Sequence, residues 1–452
     1  MPPSAPLHRS RALLGSRRAL LRDPARFYAD VAWQHGGLAR FRVAHRILHA
    51  VAHPDLLHEI LVTKASTYVK GSAYRNLAQV IGEGLVVLDG EDWRADHRII
   101  RPGLHKRALS GMVATVNAAC DEAFRRWDAE TKAYHPVVGP LRLIALHVIG
   151  EALLGTTLQA LQRARLSEQA MEAMHLLTRK NWSLLPLPER WPTPLNRRLQ
   201  RIRLSMLRFL EAQVERRLQS GLGDRGDVLD LLLLNHLSDQ EPRLSRRRVL
   251  HELLTLFVAG YDTTSSALAW SLYYLAQHPK VLAAVQTEVD AVLGPRPPTW
   301  EDVPKLTAVG RVFEEALRLN PPIHTLIRES TAPDTLGGYH VPAGSLVFLS
   351  LYGANRSPVH WADPNRFRPE RFTTHSGPRY DPRACVPFGA GPRRCLGALF
   401  GTVEAKVVLA RVVQRYRFAL QPGHLVRSAL GTAMYPENLF LQFTPHPTRI
   451  SA

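Results

Sequence analysis

Cysteine is scarce in this chain: there are three in 452 residues, Cys120, Cys385 and Cys395. The number is odd and the spacings are wide, which excludes a disulfide framework and suits a reducing compartment. A structural zinc site is excluded as well. Cys385 lies ten residues before Cys395, and no second cysteine or histidine falls at ligand spacing. Long apolar runs are missing too, none reaching the ~20 residues that a bilayer-spanning helix needs. Lysine is sparse: of 58 basic residues, eight are lysines and the rest arginines. No low-complexity tract, internal repeat or glycine- and proline-rich linker divides the chain.

What is present is ordinary globular material, 45% hydrophobic and 21% charged, enough for a sizeable core. The net charge of +19 fits a dispersed basic surface or a face that attracts an acidic protein partner. Nucleic acid is a poorer fit, because no nucleic-acid fold signature accompanies the charge. The first 22 residues hold arginines and no acids and read as a basic N-terminal extension, with 23–452 as one domain. "SRRALLRDP" (Ser16 to Pro24) has paired arginines, but an arginine, an aspartate and a proline interrupt the apolar stretch that an export signal requires. The expectation is a monomeric cytoplasmic protein with no membrane span.

The patterning is mostly helical. "GGLARFRVAHRILHAVAHP" (Gly36 to Pro54) reads as a hairpin. Helices are expected over Arg197–Gln219, Val228–Leu237 and Leu306–Leu319, with a proline- and tryptophan-rich loop over Asn181–Pro194. The longest helix runs from Arg246 to Gln277, with Ser245 as N-cap and Pro279 as stop. At 1.5 Å per residue it spans roughly 48 Å and makes a central beam. "GYHVPAGSLVFLSLYG" (Gly338 to Gly353) reads as strands around a Pro-Ala-Gly turn. The fold class is α+β, predominantly α.

One cysteine stands in an unusual setting, "PFGAGPRRCLG" (Pro387 to Gly397). The glycines permit tight backbone approach, and backbone amides turned toward a thiolate would stabilise its charge. A single soft anionic ligand suggests a metal whose other positions are filled by something else. Haem fills four positions with its own nitrogens and leaves one for oxygen opposite the sulfur.

The pattern Phe388-x-x-Gly391-x-Arg393-x-Cys395-x-Gly397 resembles the haem-binding signature of the cytochrome P450 superfamily. Further motifs follow that resemblance in the right order. "AGYDTT" (Ala259 to Thr264), inside the long helix, is similar to the family's oxygen-binding groove, with Ala259 and Gly260 against the cofactor and Asp262 and Thr263 as its acid and alcohol. Glu315 and Arg318 match the ExxR element, and "PERF" supplies Arg371 to complete a structural charged network. Trp93 and His97 fit the W-x-x-x-(Arg or His) pattern, one turn before Arg101. The resemblance makes His97, Arg101, Arg328 and Arg393 the partners of the haem propionates.

The resemblance implies a soluble bacterial-type fold, with a long central helix over haem b and a smaller β-rich region. It implies a haem-thiolate monooxygenase that inserts one atom of O2 into a C–H bond of a hydrophobic molecule such as a fatty acid, terpenoid or steroid. Cys395 would ligate iron, Thr263 would hydrogen-bond the oxygen, and Asp262 would relay protons. Electrons would come from NAD(P)H only indirectly, through an acidic ferredoxin or flavodoxin-type protein and its reductase, docking near Arg393, Arg394, Lys106 and Arg107. The competing readings are a peroxide-driven peroxygenase, which tends to dispense with the acid–alcohol pair, and a non-catalytic haem sensor or carrier.

Overall fold

The structure is a computed structural model that describes residues 2–10, 15–105, 109–130, 133–181, 191–223, 227–239, 243–373, 381–431 and 433–446. The expected loop over Asn181–Pro194 falls for the most part outside the described residues, as do Lys106 and Arg107. The chain forms two compact units. One comprises residues 1–76 and 317–395, the other residues 77–316 and 396–452.

The main helices, in chain order, begin with α1 (Pro24–Trp33), α2 (Ser72–Ile81), α3 (Gly90–Ile100) and α4 (Met112–Ala129). Then come α5 (Val138–Leu154), α6 (Ala160–Asn181), α7 (Pro194–Ser220) and α8 (Val228–Leu237). The last are α9 (Arg246–Gln277), α10 (Pro279–Leu293), α11 (Thr307–Leu319) and α12 (Ala398–Arg415). The strands are β1 (Leu38–Val43), β2 (Arg46–Val51), β3 (Tyr68–Val69), β4 (His135–Pro136), β5 (Thr325–Ser330) and β6 (Asp334–Leu336). They continue with β7 (Tyr339–Val341), β8 (Leu346–Ser350), β9 (Tyr416–Leu420), β10 (Arg427–Leu430), β11 (Met434–Glu437) and β12 (Phe440–Pro445).

The first unit is built on a five-stranded sheet in the order β1-β2-β8-β5-β3. β1 and β2 form the expected hairpin, with Val43 opposite Arg46. Ala44 takes the left-handed conformation that a two-residue turn demands. β8 lies in mid-sheet, parallel to β2 and antiparallel to β5. Its "LVFLS" run is apolar on both faces because Val347, Phe348 and Leu349 are all buried. The Pro-Ala-Gly turn does join two strands, but they do not pair with each other: β7 pairs β6, and β8 joins the large sheet. The basic N-terminal segment is tied to this unit, with His340 N–H donating to Pro3 O and Arg40 N–H to Pro6 O. Ala5 between them is wholly buried.

Arg318 at the end of α11 organises the loops of this unit. It is fully buried, and its guanidinium donates to the carbonyls of Asn355 (2.9 Å), Pro364 (2.8 Å) and Arg366 (3.2 Å). It lies 4.8 Å from the Trp361 ring centroid. Arg371 reaches the same stretch, donating to Ala362 O (2.6 Å) and Asp363 O (2.9 Å). Two arginines therefore clasp residues 362–366 through backbone carbonyls. Sequence reading expects these residues in a charged network, and the bonds from Arg318 and Arg371 to peptide oxygens give both arginines a further structural role.

In the second unit α9 runs from Arg246 to Gln277 as the sequence predicts, and Ser245 accepts from Arg248 N–H at its start. Twenty of its residues are buried, so it is a core element rather than an amphipathic surface helix. α5, mostly apolar, packs along it. A Cβ on Gly260 would sit 2.7 Å from Ile149 of α5, so the smallness of Gly260 serves this close helix packing. Ser266 Oγ (2.5 Å) and Trp270 Nε1 (3.0 Å) of α9 both donate to Met434 O, pinning the β10–β11 hairpin to the beam.

Two expectations follow from these interiors. Arg318→Leu takes the donor away from three carbonyls, that of the buried Asn355 among them, and should cost about 3 kcal/mol or more in denaturant unfolding; an unchanged midpoint would remove Arg318 from its organising role. Glu404 of α12 is fully buried, neither carboxylate oxygen has a hydrogen-bond partner, and burial raises its pKa well above the ordinary 4.5. The folded state therefore keeps a proton that the unfolded chain releases above pH 4.5, so stability falls as pH rises through that window. Glu404→Gln should gain on the parent between pH 4.5 and pH 8, read as a widening difference in unfolding midpoint.

Candidate functional site

The cysteine loop is fixed by its own backbone. Val386 N–H donates to Asn355 Oδ1 (3.0 Å), Gly389 N–H to Val386 O (2.9 Å) and Cys395 N–H to Phe388 O (2.8 Å). Gly391 holds a left-handed φ of +70°, and a Cβ there would run into the Leu61 carbonyl. Glycine is thus required twice over at this position. The closed loop leaves the Cys395 side chain exposed, Phe388 half-buried, Arg393 half-buried and Arg394 exposed. Cys120 behaves differently: it is wholly buried, and burial pushes its thiol up to about 12. None of the three cysteines is in a disulfide. At Gly397 neither crowding nor backbone conformation requires glycine, since φ is −84° and a Cβ would meet nothing within 4 Å.

Arg328 lies on β5 in the same unit as the loop. It is 4% exposed, donates to Ile327 O (2.9 Å), and has no carboxylate within 4 Å among the described residues. A buried guanidinium in that state fits an acidic group supplied from outside the chain. An exposed thiol, a glycine facing open space and a buried arginine lacking a counter-ion together fit haem.

In the second unit the groove motif interrupts the burial of α9. Ala259 is exposed and Gly260 and Thr263 are half-buried, while Phe257, Val258, Tyr261, Asp262 and Thr264 are buried. Positions 259 and 263 are i and i+4, so they form one uncovered strip on the helix. Thr263 Oγ1 donates its proton to Ala259 O (2.8 Å), which directs its lone pairs elsewhere. Thr264 bonds back in the same way to Gly260 O (3.0 Å).

Asp262 does not share that strip. It is 2% exposed, and its Oδ1 accepts from Arg142 Nε of α5 at 2.9 Å. The Arg142 guanidinium lies 5.0 Å from the Tyr435 ring centroid on β11. Burial, moderated by Arg142, raises the Tyr435 hydroxyl above its ordinary value. Sequence reading found the acid and missed both partners. The available signal was an arginine near the start of a mostly apolar helix, which needs a buried counter-charge but does not reveal which one.

α3 carries Trp93 and His97, whose rings lie 4.9 Å apart. They line a cleft of about 420 Å³ with Arg94, Arg98, Arg101 and His105. His97 is half-buried and Arg101 exposed. The cleft is basic, as an anionic group would require. Among the described residues no cluster of three His, Cys, Asp or Glu side chains could hold a metal ion, and no helix is long and apolar enough to cross a membrane.

Comparison with known proteins agrees with this geometry. The family model described as Cytochrome P450 matches residues 5–443. Cyclooctat-9-en-7-ol 5-monooxygenase of Streptomyces melanosporofaciens is 30% identical over 415 residues, covering 91% of this chain and 88% of that protein. Pentalenene oxygenase of Streptomyces avermitilis is 28% identical, covering 96% and 95%. The crystal structure of cytochrome P450DA heme domain superposes with a TM-score of 0.88 at 26% identity, covering 100% of this chain and 99% of that one. The chain belongs to the cytochrome P450 family, with the predominantly helical α+β fold and the haem-iron monooxygenase class of that family.

Proposed function

We propose that this protein is a haem b monooxygenase that hydroxylates a terpenoid-class hydrocarbon skeleton, and that Cys395 would supply its thiolate ligand. The observation that carries the reading is the exposed Cys395 on a loop closed by the Cys395–Phe388 amide bond. Support for the substrate class comes from relatives named for oxidation of cyclooctat-9-en-7-ol and pentalenene. When bound, haem supplies reductive activation of dioxygen, which no amino-acid side chain can perform. Cys395 would hold it through sulfur, and Arg328, His97, Arg101 and Arg393 would take its acidic groups. Phe388 and Gly391 shape the loop, Gly397 leaves room beside it, and Ala259 keeps the helix strip low enough for small ligands, while Gly260 serves the packing of α5.

Thr263 would accept or pass a proton at Oγ1 on that strip. Asp262 starts in an ion pair, so its carboxylate must leave Arg142 before it can carry a proton from solvent. Arg142 therefore sets how often Asp262 is available. Reducing equivalents would come from NAD(P)H by way of an acidic ferredoxin or flavodoxin-type protein, for which Arg393 and Arg394 offer a basic face.

The reduced protein with carbon monoxide should show the far red-shifted Soret band of a thiolate ligand, and Cys395→Ser should lose it; a band unchanged by that substitution would refute the assignment. Arg142→Met leaves a buried carboxylate alone and should cost about 3–5 kcal/mol, while the further change Asp262→Asn should restore most of the loss. Strictly additive effects in that double-mutant cycle would show that the pair is not coupled. Reduction by an acidic ferredoxin should slow as ionic strength rises; a flat salt profile would count against electrostatic docking.

A further inference from the structure

A second cleft, of about 830 Å³, opens in the second unit where α2, α7 and the start of α9 meet. Its apolar wall is Leu199, Leu204, Leu207 and Leu250. Arg203 and Arg247 line it together with His251, which is 3% exposed. Leucines and guanidinium groups together make an amphipathic lining, with Arg203 between Leu199 and Leu207 on one face of α7.

At the polar end of the cleft two donors face each other. The Glu83 backbone N–H points at His251 Nδ1 (3.1 Å), and Arg203 Nη2 lies 3.2 Å from His251 Nε2. Burial, then the nearby Arg203 and Arg247, hold the His251 pKa down to about 4, so the ring is neutral at physiological pH. A neutral imidazole has one N–H and one lone pair. Glu83 N–H takes the lone pair, so Nε2 carries the proton and faces the arginine donor-to-donor. With the other tautomer the same conflict moves to Glu83. Arg203 Nε is buried with no hydrogen-bond partner, and no carboxylate lies within 4 Å of Arg203 among the described residues. Arg247 is already near a counter-charge, Glu83 at 3.6 Å. Behind the lining, the buried Lys180 ammonium donates to Gln79 Oε1 and Asn196 Oδ1 at 2.7 Å each, adding positive charge to the same end.

We propose that this cleft is a binding site for a hydrophobic carboxylic acid, whose carboxylate is held by Arg203 and His251 Nε2–H and whose chain lies along the four leucines. An anionic oxygen placed there accepts from both donors at once and gives Arg203 its missing counter-charge. The planar guanidinium fork suits a carboxylate in particular. This site shares no residue with the thiolate loop or the groove strip, and the inference does not depend on the haem assignment.

The test is calorimetric titration of the full-length purified protein with dodecanoate and with dodecan-1-ol, both kept below micelle concentration. Dodecanoate should bind roughly tenfold or more tightly than the alcohol, the scale of one charge-assisted hydrogen bond. Arg203→Met should abolish that preference, and Arg203→Lys should keep only part of it. Leu204→Glu, at a position 43% exposed and so tolerant of a charge, should weaken dodecanoate and leave the alcohol nearly unchanged. Equal affinity for acid and alcohol in the parent protein, or an acid preference that survives both Arg203→Met and Leu204→Glu, would overturn the proposal.

Discussion

The hydrogen bond from the Cys395 amide to the Phe388 carbonyl, at 2.8 Å, is the constraint on which the thiolate reading depends. It closes a loop whose interior must pass under the Leu61 carbonyl, and only a left-handed glycine at position 391 can do that. Closing the loop leaves the Cys395 side chain uncovered by other protein atoms. A flexible loop would let the thiol turn inward, as Cys120 does, where burial would raise its pKa and silence it. The sheet behind the loop and the Arg318–Arg371 clasp on residues 362–366 serve the same end, since Asn355 bonds both Arg318, through its carbonyl, and the Val386 amide, through its side chain.

The second unit solves a different problem. A helix of 32 residues with twenty of them buried would ordinarily be apolar, yet α9 carries Asp262, Thr263, Thr264, Ser265 and Ser266 in succession. Each polar side chain is provided for. The hydroxyls of 263 and 264 bond back to the preceding turn, Ser266 reaches Met434 O, and Asp262 meets Arg142. These bonds satisfy the interior and leave one strip, at 259 and 263, without cover. The rest of the polar run is committed to structure. The acid and the alcohol, adjacent in sequence, therefore differ in setting: Thr263 is half-buried and bonded only to its own helix, and Asp262 is held in a buried ion pair.

Basic charge is put to more than one use. Arg318, Arg371 and Arg217 are structural, bonded to carbonyls or to buried carboxylates such as Asp227 (2.9 Å). Arg328 and Arg203 differ: Arg328 is buried, Arg203 is half-buried with its Nε enclosed, and neither has a carboxylate within 4 Å among the described residues. Composition alone cannot separate these groups. An arginine wholly or partly enclosed with no acid partner is a request for an anion, and the two such residues lie in different units.

The sequence by itself determined the family-bearing motifs and the long elements. α8 and α9 keep their expected ends, and the β1–β2 hairpin lies where a glycine turn and alternating residues put it, because caps, prolines and periodicity act over a few residues. The cysteine loop was legible for the same reason: its glycines, arginines and thiol are local in the chain. Tertiary structure alone decided the partners. Asp262 finds Arg142 across 120 residues, Gly260 is small because Ile149 needs the space, and β7 and β8 part into separate sheets although one turn joins them. Such pairings depend on which surfaces pack, and packing is set by complementarity of shape and charge between distant segments, which local patterns do not encode.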